Sequence, residues 1–279
     1  MPYPPWRRCL RICNGQLGAA SFRQLKVIKV NKCDRLNTMF SFSTDKGLPQ
    51  LEEIAVSNCS RMEEIFVIER QDDVNNTEVN KTIQFSLLRV VTLGYMRCLK
   101  SFCSKVKTTD TKARGVLISE NRQDISKSLF NEMVVLPNME ILNLSDIDVE
   151  KIWHNRLLAM SSIVQNLTCL IIKRCRNLKN IFTASMVNSF VQLQHLEISY
   201  CPVLEEMVVI EELIDEGSRD AILLFAQLHY LRIKHLVKLR GLYSGNYIEF
   251  PSLKELEIEN CLNLRAFIFD DMVGFPSLT

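Results

Sequence analysis

The sequence predicts an α/β-type repeat solenoid. Three observations carry that expectation: an apolar template recurs eight times, its middle alternates as a strand does, and the composition supplies a core without cross-links. The chain has 279 residues, 47% of them hydrophobic and 24% charged, with 34 Lys+Arg against 32 Asp+Glu. A chain of this length buries enough surface to fold without disulfides. A net charge of +2 argues against bulk attraction to phosphate, so no nucleic acid is expected as partner. No run of about 18 apolar residues is present, so no membrane span is expected. The chain has ten cysteines, and its start, MPYPPWRRCLRICNG, lacks a signal-length apolar run. They read as reduced thiols in a cytoplasmic protein.

The template is clearest in FPSLKELEIENCLNLRAF. With Phe250 numbered zero, apolar residues fall at +3, +6, +8, +11, +14 and +17: Leu253, Leu256, Ile258, Cys261, Leu264 and Phe267. Phe22, Leu48, Phe85, Leu136, Val164, Phe190 and Phe225 open seven further units. Across eight units of six positions, 47 of 48 are apolar, and Glu150 is the exception. The pattern L-x-x-L-x-[LIV]-x-x-C-x-x-L is a leucine-rich repeat with Cys at the usual Asn position. Its +6 and +8 residues flank an outward +7, the signature of a strand with one buried face. Stacked units build a parallel sheet on the concave face of a horseshoe, with irregular or short helical convex segments. At +11 a small side chain with a weak donor can face the exposed carbonyls of the next turn, which suits Cys33, Cys59, Cys175, Cys201 and Cys261. Parallel side chains in one column suit a disulfide badly, so these thiols are expected free and buried.

Residues 1–21 read as a leader or partial cap and 22–279 as the solenoid, about eight repeats plus the start of a ninth at Phe275. Regular units are about 25 to 28 residues apart. Insertions fall near 69–84, 104–133 and 210–224, all after +17, where they leave the sheet intact. The first two are polar and expected to be mobile; the third has apolar residues enough to pack or form a short helix. No polar capping unit follows the ninth start and residues 1–21 would cap the other end poorly, so the chain reads as a piece of a longer protein or a truncated product.

Catalytic patterns are missing. There is no G-x-x-x-x-G-K-[ST], H-E-x-x-H, C-x-x-C or G-x-S-x-G, so neither an enzyme nor a cofactor or metal site is expected. His195, His229 and His235 read as surface residues on or beside the strands, and His154 joins no motif. The sequons at Asn58, Asn75, Asn80, Asn143 and Asn166 read as chance matches, since no secretory signal precedes them. The Glu-rich runs EEIFVIE and EEMVVIEE lie four units apart on the return side and cannot share a site, so they read as a solvated rim.

What remains is the outward face of the strands, positions +5, +7, +9 and +10, where solenoids usually bind. The candidate protein contacts there are Lys29, Tyr95, Lys173, Arg174, Tyr200, Tyr230, Arg232, Lys234, His235, Glu255, Glu257 and Glu259. A basic band in units five and seven meets an acidic band in unit eight, with tyrosines as anchors. The plainer alternative is that these charges keep an exposed sheet soluble.

LPQLEEIAVSNCSRMEEIF, NLTCLIIKRCRNLKNIFTASMVNSFVQLQHLEISYCPVLEEMVV and FPSLKELEIENCLNLRAF resemble the C-terminal repeats of plant disease-resistance proteins. These are nucleotide-binding leucine-rich-repeat receptors of the coiled-coil class. The resemblance spans residues 22–279 and rests on the C-x-x-L turn together with the F-P-x-L entry. It implies a cytoplasmic plant immune receptor. Its repeats would recognise a pathogen effector or a guarded host protein, and restrain the receptor's own nucleotide-binding module. Neither that module nor a coiled coil is in this sequence. The alternative is a free-standing repeat adaptor or truncated decoy that binds protein without signalling.

Overall fold

A computed structural model describes residues 22–42, 48–68, 82–105, 128–154, 164–210, 223–243 and 248–265. Eight strands pair in chain order into one parallel sheet: Val27–Asn31, Glu53–Ser57, Val90–Met96, Ile141–Ile147, Cys169–Lys173, His195–Ser199, Tyr230–Lys234 and Glu255–Glu259. Each strand starts at +5 of its unit. The register is unit on unit, with +7 facing +7: Lys29 opposite Ala55, Asn143 opposite Ile171, Glu197 opposite Arg232. The expectation of a parallel-sheet repeat solenoid holds.

A turn enters each strand. The +3 amide donates to the carbonyl at zero in all eight units, from Leu25 to Phe22 through Leu253 to Phe250. Pro49, Pro137 and Pro251 sit at the second position of this turn, where their fixed φ is already correct. A second sharp bend follows the strand. The +10 residues Lys32, Asn58, Tyr95, Asp146, Arg174, Tyr200, His235 and Asn260 all have φ between 49° and 58°. None is glycine, and this left-handed conformation is costly for each. It lets the +10 amide make one more rung of the ladder, as when His235 N donates to Glu259 O at 2.8 Å.

After the bend comes the cysteine column. Each +11 thiol donates to the carbonyl two residues back in its own unit, Cys59 to Ser57 O at 3.3 Å and Cys201 to Ser199 O at 3.5 Å. The eight described cysteines are all free. Cys59, Cys175 and Cys201 are buried, whereas Cys33 and Cys261, in the first and last units, are half-buried. The expected donor role is kept, but the acceptor is the strand carbonyl two residues back and not one in the next turn.

The inward positions of units two to seven are buried throughout, apart from Glu150. That exception has a local remedy: Val149, one residue earlier, fills the core instead. An aromatic spine threads the interior, Phe40 to Phe66 to Phe102 to Phe130 to Trp153 to Phe190 to Phe182 to Phe225 to Phe250. Successive ring centroids lie 4.8–6.1 Å apart. Each well-placed pair adds about 0.5–1.5 kcal/mol beyond the area it buries.

The return side is more regular than the expected irregular or helical segments. It carries short parallel stacks, Thr38–Phe42 with Glu64–Ile68 and Ser101–Lys105, and Phe182–Thr183 with Glu206–Val209 and Gly241–Tyr243. A four-residue helix, Ala184–Val187, lies there too. The two glutamate-rich runs fall in different stacks and are not a solvated rim: their described glutamates are partly exposed, while Ile65, Phe66, Met207 and Val208 are buried in strand pairs. Ser128–Phe130, inside the stretch read as the second insertion, pairs with Lys151–Trp153 and buries Phe130. Ile83–Gln84 and Leu223–Leu224, at the ends of the other two insertions, are likewise strands. The interiors of the three insertions, residues 1–21, Asn75, Asn80 and the start of a ninth unit lie outside the described residues.

Candidate functional site

The sheet's outward face divides into two parts. From unit five to unit eight, charged side chains cross from strand to strand because the in-register stack places their rows side by side. Lys173 Nζ lies 2.9 Å from Glu197 Oε1, and Arg232 Nη1 lies 3.6 Å from the same oxygen. Arg232 Nε donates to Glu257 Oε2 at 2.6 Å. Lys234 pairs with Glu257 and reaches Glu259 Oε2 at 3.0 Å. Three cations and three carboxylates thus alternate along the ladder and cancel. The separate basic and acidic bands read from sequence are in fact one interleaved network. Hydrogen bonds from Lys234 and then Arg232 hold the Glu257 carboxyl below its usual range.

Aromatic rings brace the same region. His195 stacks on Tyr230 with centroids 4.4 Å apart, and Tyr200 stacks on His235 at 4.3 Å. The Arg232 guanidinium lies 5.2 Å from the Tyr230 ring centre, a cation–π distance, and Tyr230 Oη donates to Glu257 at 3.3 Å. Burial pushes the His195 imidazole below the usual histidine value. His235 Nε2 is 3.8 Å from Glu259.

Two further clusters flank the ladder. Arg174 donates through Nε to Asp146 at 2.6 Å and through Nη2 to Tyr95 Oη at 2.7 Å, spanning unit four. At the N-terminal side, Lys29 lies 3.0 Å from Glu53. Tyr95 and Tyr200 remain 48% and 50% exposed, enough to serve as contacts.

Between these clusters lies an uncharged strip. Val90, Ile141 and Cys169 form its +5 row, and Ala55, Thr92, Asn143 and Ile171 its +7 row, all half-buried. Asn143 Nδ2 reaches Thr92 Oγ1 at 3.4 Å, while its Oδ1 is buried with no partner. Gly94 completes the strip, and a Cβ there would meet Ser145 Oγ at 2.7 Å.

Lys173, Arg174, Tyr200, Tyr230, Arg232, Lys234, His235, Glu257 and Glu259 therefore share one end of the face. Glu255 faces Tyr230 in register at the last strand. Tyr95 joins them through Arg174, and Lys29 stands apart. Sequence reasoning left Glu197 and Asp146 off the candidate set, although both carboxylates are nearly buried and hold the cations in place. The sign alternation Glu197, Arg232, Glu257 along the +7 row was the available cue. Among the described residues, no three His, Cys, Asp or Glu could hold a metal ion, and no helix is long and apolar enough to cross a membrane.

A family described as "Plant disease resistance protein RPS2-like, leucine-rich repeats" matches residues 7–113 and 138–272. A probable disease resistance protein of Arabidopsis thaliana is 28% identical over 141 residues, covering 50% of this chain and 15% of that protein. No solved structure matches. The family match covers most of the chain and agrees with the stacked sheet and its repeat. The chain belongs to the leucine-rich repeats of the plant disease-resistance, RPS2-like family.

Proposed function

We propose that this chain is the protein-recognition region of an intracellular plant immune receptor, acting by binding rather than catalysis. The outward sheet face contacts either a pathogen effector or a guarded host protein, or else the receptor's own nucleotide-binding module, which it restrains. The observation that carries this reading is the uncharged strip of units two to five, flanked by the exposed tyrosines. Charges in units five to eight are already matched to one another, so a partner gains little there without breaking pairs. The strip and the aromatic rim carry no such cost, and tyrosine beside arginine is the composition of binding hot spots. A free-standing adaptor would use the same face.

The test places Ile141→Arg and Ile171→Arg, singly and together, in a full-length receptor carrying these repeats. Both side chains are half-buried on the outward side, so the repeats keep their core. The expected outcome is a changed defence output at unchanged protein level: constitutive activity if restraint is lost, or silence if recognition is lost. Wild-type output from the double variant would overturn the face assignment. Reversing Arg232, Lys234 and Glu257 together is a weaker test, because those three pair mainly with one another.

A further inference from the structure

We propose that the bend-side rim of units one to three is a docking site for an acidic polypeptide segment, read by Arg35, Arg61 and Arg97. This inference rests on side chains beyond the strands and does not depend on the face assignment above. Arg61 and Arg97 belong to units two and three, each stacked between neighbours on both sides.

The rim follows the left-handed +10 residue and consists of positions +12 and +13. In units one to three these are Asp34 and Arg35, Ser60 and Arg61, Arg97 and Cys98, all exposed. The columns stay in step through the bend, since Ser60 N donates to Asp34 Oδ1 of the unit before at 3.0 Å. Stacking therefore sets Arg61 beside Arg35 and Arg97 beside Ser60, about one strand spacing (~4.8 Å) apart where they leave the sheet. Lys32, exposed at +10 of unit one, adds a fourth cation. Asp34 is the block's one carboxylate. Bonds from Ser60, with the Arg61 charge a lesser cause, already hold it below its usual range.

Other columns of the stack set a cation against a carboxylate one unit away. Lys26 meets Glu52 at 2.9 Å, Arg89 meets Glu140 at 2.7 Å, and Arg240 meets Glu205 at 3.9 Å. The bend rim does the opposite. None of Arg35, Arg61 and Arg97 makes an ion pair among the described residues. Like charges so close repel, and carboxylates of a partner would relieve a repulsion that the stack leaves in place. The cluster is local: beyond unit three the same two columns never carry cations in successive units.

The chemistry of these side chains selects the partner. The planar guanidinium takes a carboxylate through two parallel N–H donors. A membrane surface asks for apolar side chains to insert, and Tyr95 is the one large exposed hydrophobic among the +10, +12 and +13 residues of these units. Nucleic acid follows a longer cationic track, whereas here Asp148 comes next in unit four.

The probe is a dye-labelled peptide of alternating Glu and Ala, and its control alternates Gln and Ala. Titrated against the whole chain at low salt, the Glu peptide is expected to bind at least about tenfold more tightly than the control, or roughly 1.4 kcal/mol. Arg61→Glu with Arg97→Glu should weaken the Glu peptide at least about tenfold. Lys238→Glu with Lys254→Glu, two exposed lysines on units seven and eight, alters net charge equally and should change binding by less than about twofold. Should the arginine variant fold poorly, the unaltered chain still decides: the Nε–H resonances of Arg61 and Arg97 should shift as the Glu peptide saturates. Equal weakening by the two double variants, or unshifted arginine resonances, overturns the proposal. So does tighter binding to phosphatidylserine vesicles than to the Glu peptide, lost in the arginine variant, because the occupant would then be a membrane surface.

Discussion

Asn143 and Glu197 occupy the same +7 position, two units apart on the same face, and live by different rules. Glu197 is 8% exposed and sits between Lys173 and Arg232, with both its neighbours matched to it. Asn143 sits between Thr92 and Ile171 with a buried oxygen that nothing satisfies. The difference teaches that the outward face is one surface geometrically and two chemically. Toward the C-terminal side, lateral ion pairs hold the strands' outer side chains. In the middle the side chains are uncharged, and the lateral contact of Asn143 is a single long hydrogen bond to Thr92.

The largest expected effect concerns what both parts share. Phe102 touches Phe66, Phe85 and Phe130, so Phe102→Ala should lose about 3–5 kcal/mol in urea unfolding. A loss under 1 kcal/mol would show that the spine collapses around the gap and that the two parts fold independently. Next, Glu197→Ala leaves two cations facing one another beside a nearly buried site and should cost about 1–3 kcal/mol. Asn143→Val should go the other way. It removes an unsatisfied oxygen and adds a strand-favouring side chain, so stability should hold or rise by up to about 1 kcal/mol. If both variants lose stability alike, the contrast between the two parts is wrong.

Acid should act on the ladder before the strip. His195 is held neutral by burial, so the unfolded chain binds more protons. Stability therefore falls as pH drops below the ordinary histidine value. Glu257 is held ionised by Lys234 and Arg232, and its contribution is lost at lower pH, as the carboxyl protonates in the folded protein. Denaturant midpoints followed from about pH 7.5 to about pH 2 should decline in both windows. His195→Phe, which keeps a ring against Tyr230, should flatten the upper window, and Glu257→Gln the lower. The smallest change expected is at the bend: Lys32→Gly should stabilise by up to about 1 kcal/mol, since glycine adopts its φ of 57° without strain.

The inward half of this protein was legible because its rule is periodic. Positions +6 and +8 alternate, +11 and +14 close the turn, and every described strand of the main sheet begins where the template places +5. The thiol of Cys201 was legible as a donor but its partner was not: it bonds the Ser199 carbonyl two residues back rather than one in the next turn. Glu150, the one polar miss, is exposed, and Val149 one residue earlier is buried in its stead. Less was legible on the return side, where Glu64–Ile68 and Glu206–Val209 read as solvated rims. A short apolar run carries no mark of which neighbour it will pair with.

The outward residues were legible as positions but not as partners. Glu197 and Asp146 were visible at +7 and +10, yet nothing local says that Arg174 will reach past unit four to Tyr95. The sequence by itself determined the repeat, the inward faces and the parallel stacking, because burial of a periodic apolar face leaves few other solutions. Which outward charges cancel was settled only by the folded stack. Those contacts join residues about 25 to 80 positions apart, and their energies depend on register, distance and exposure that no single unit contains.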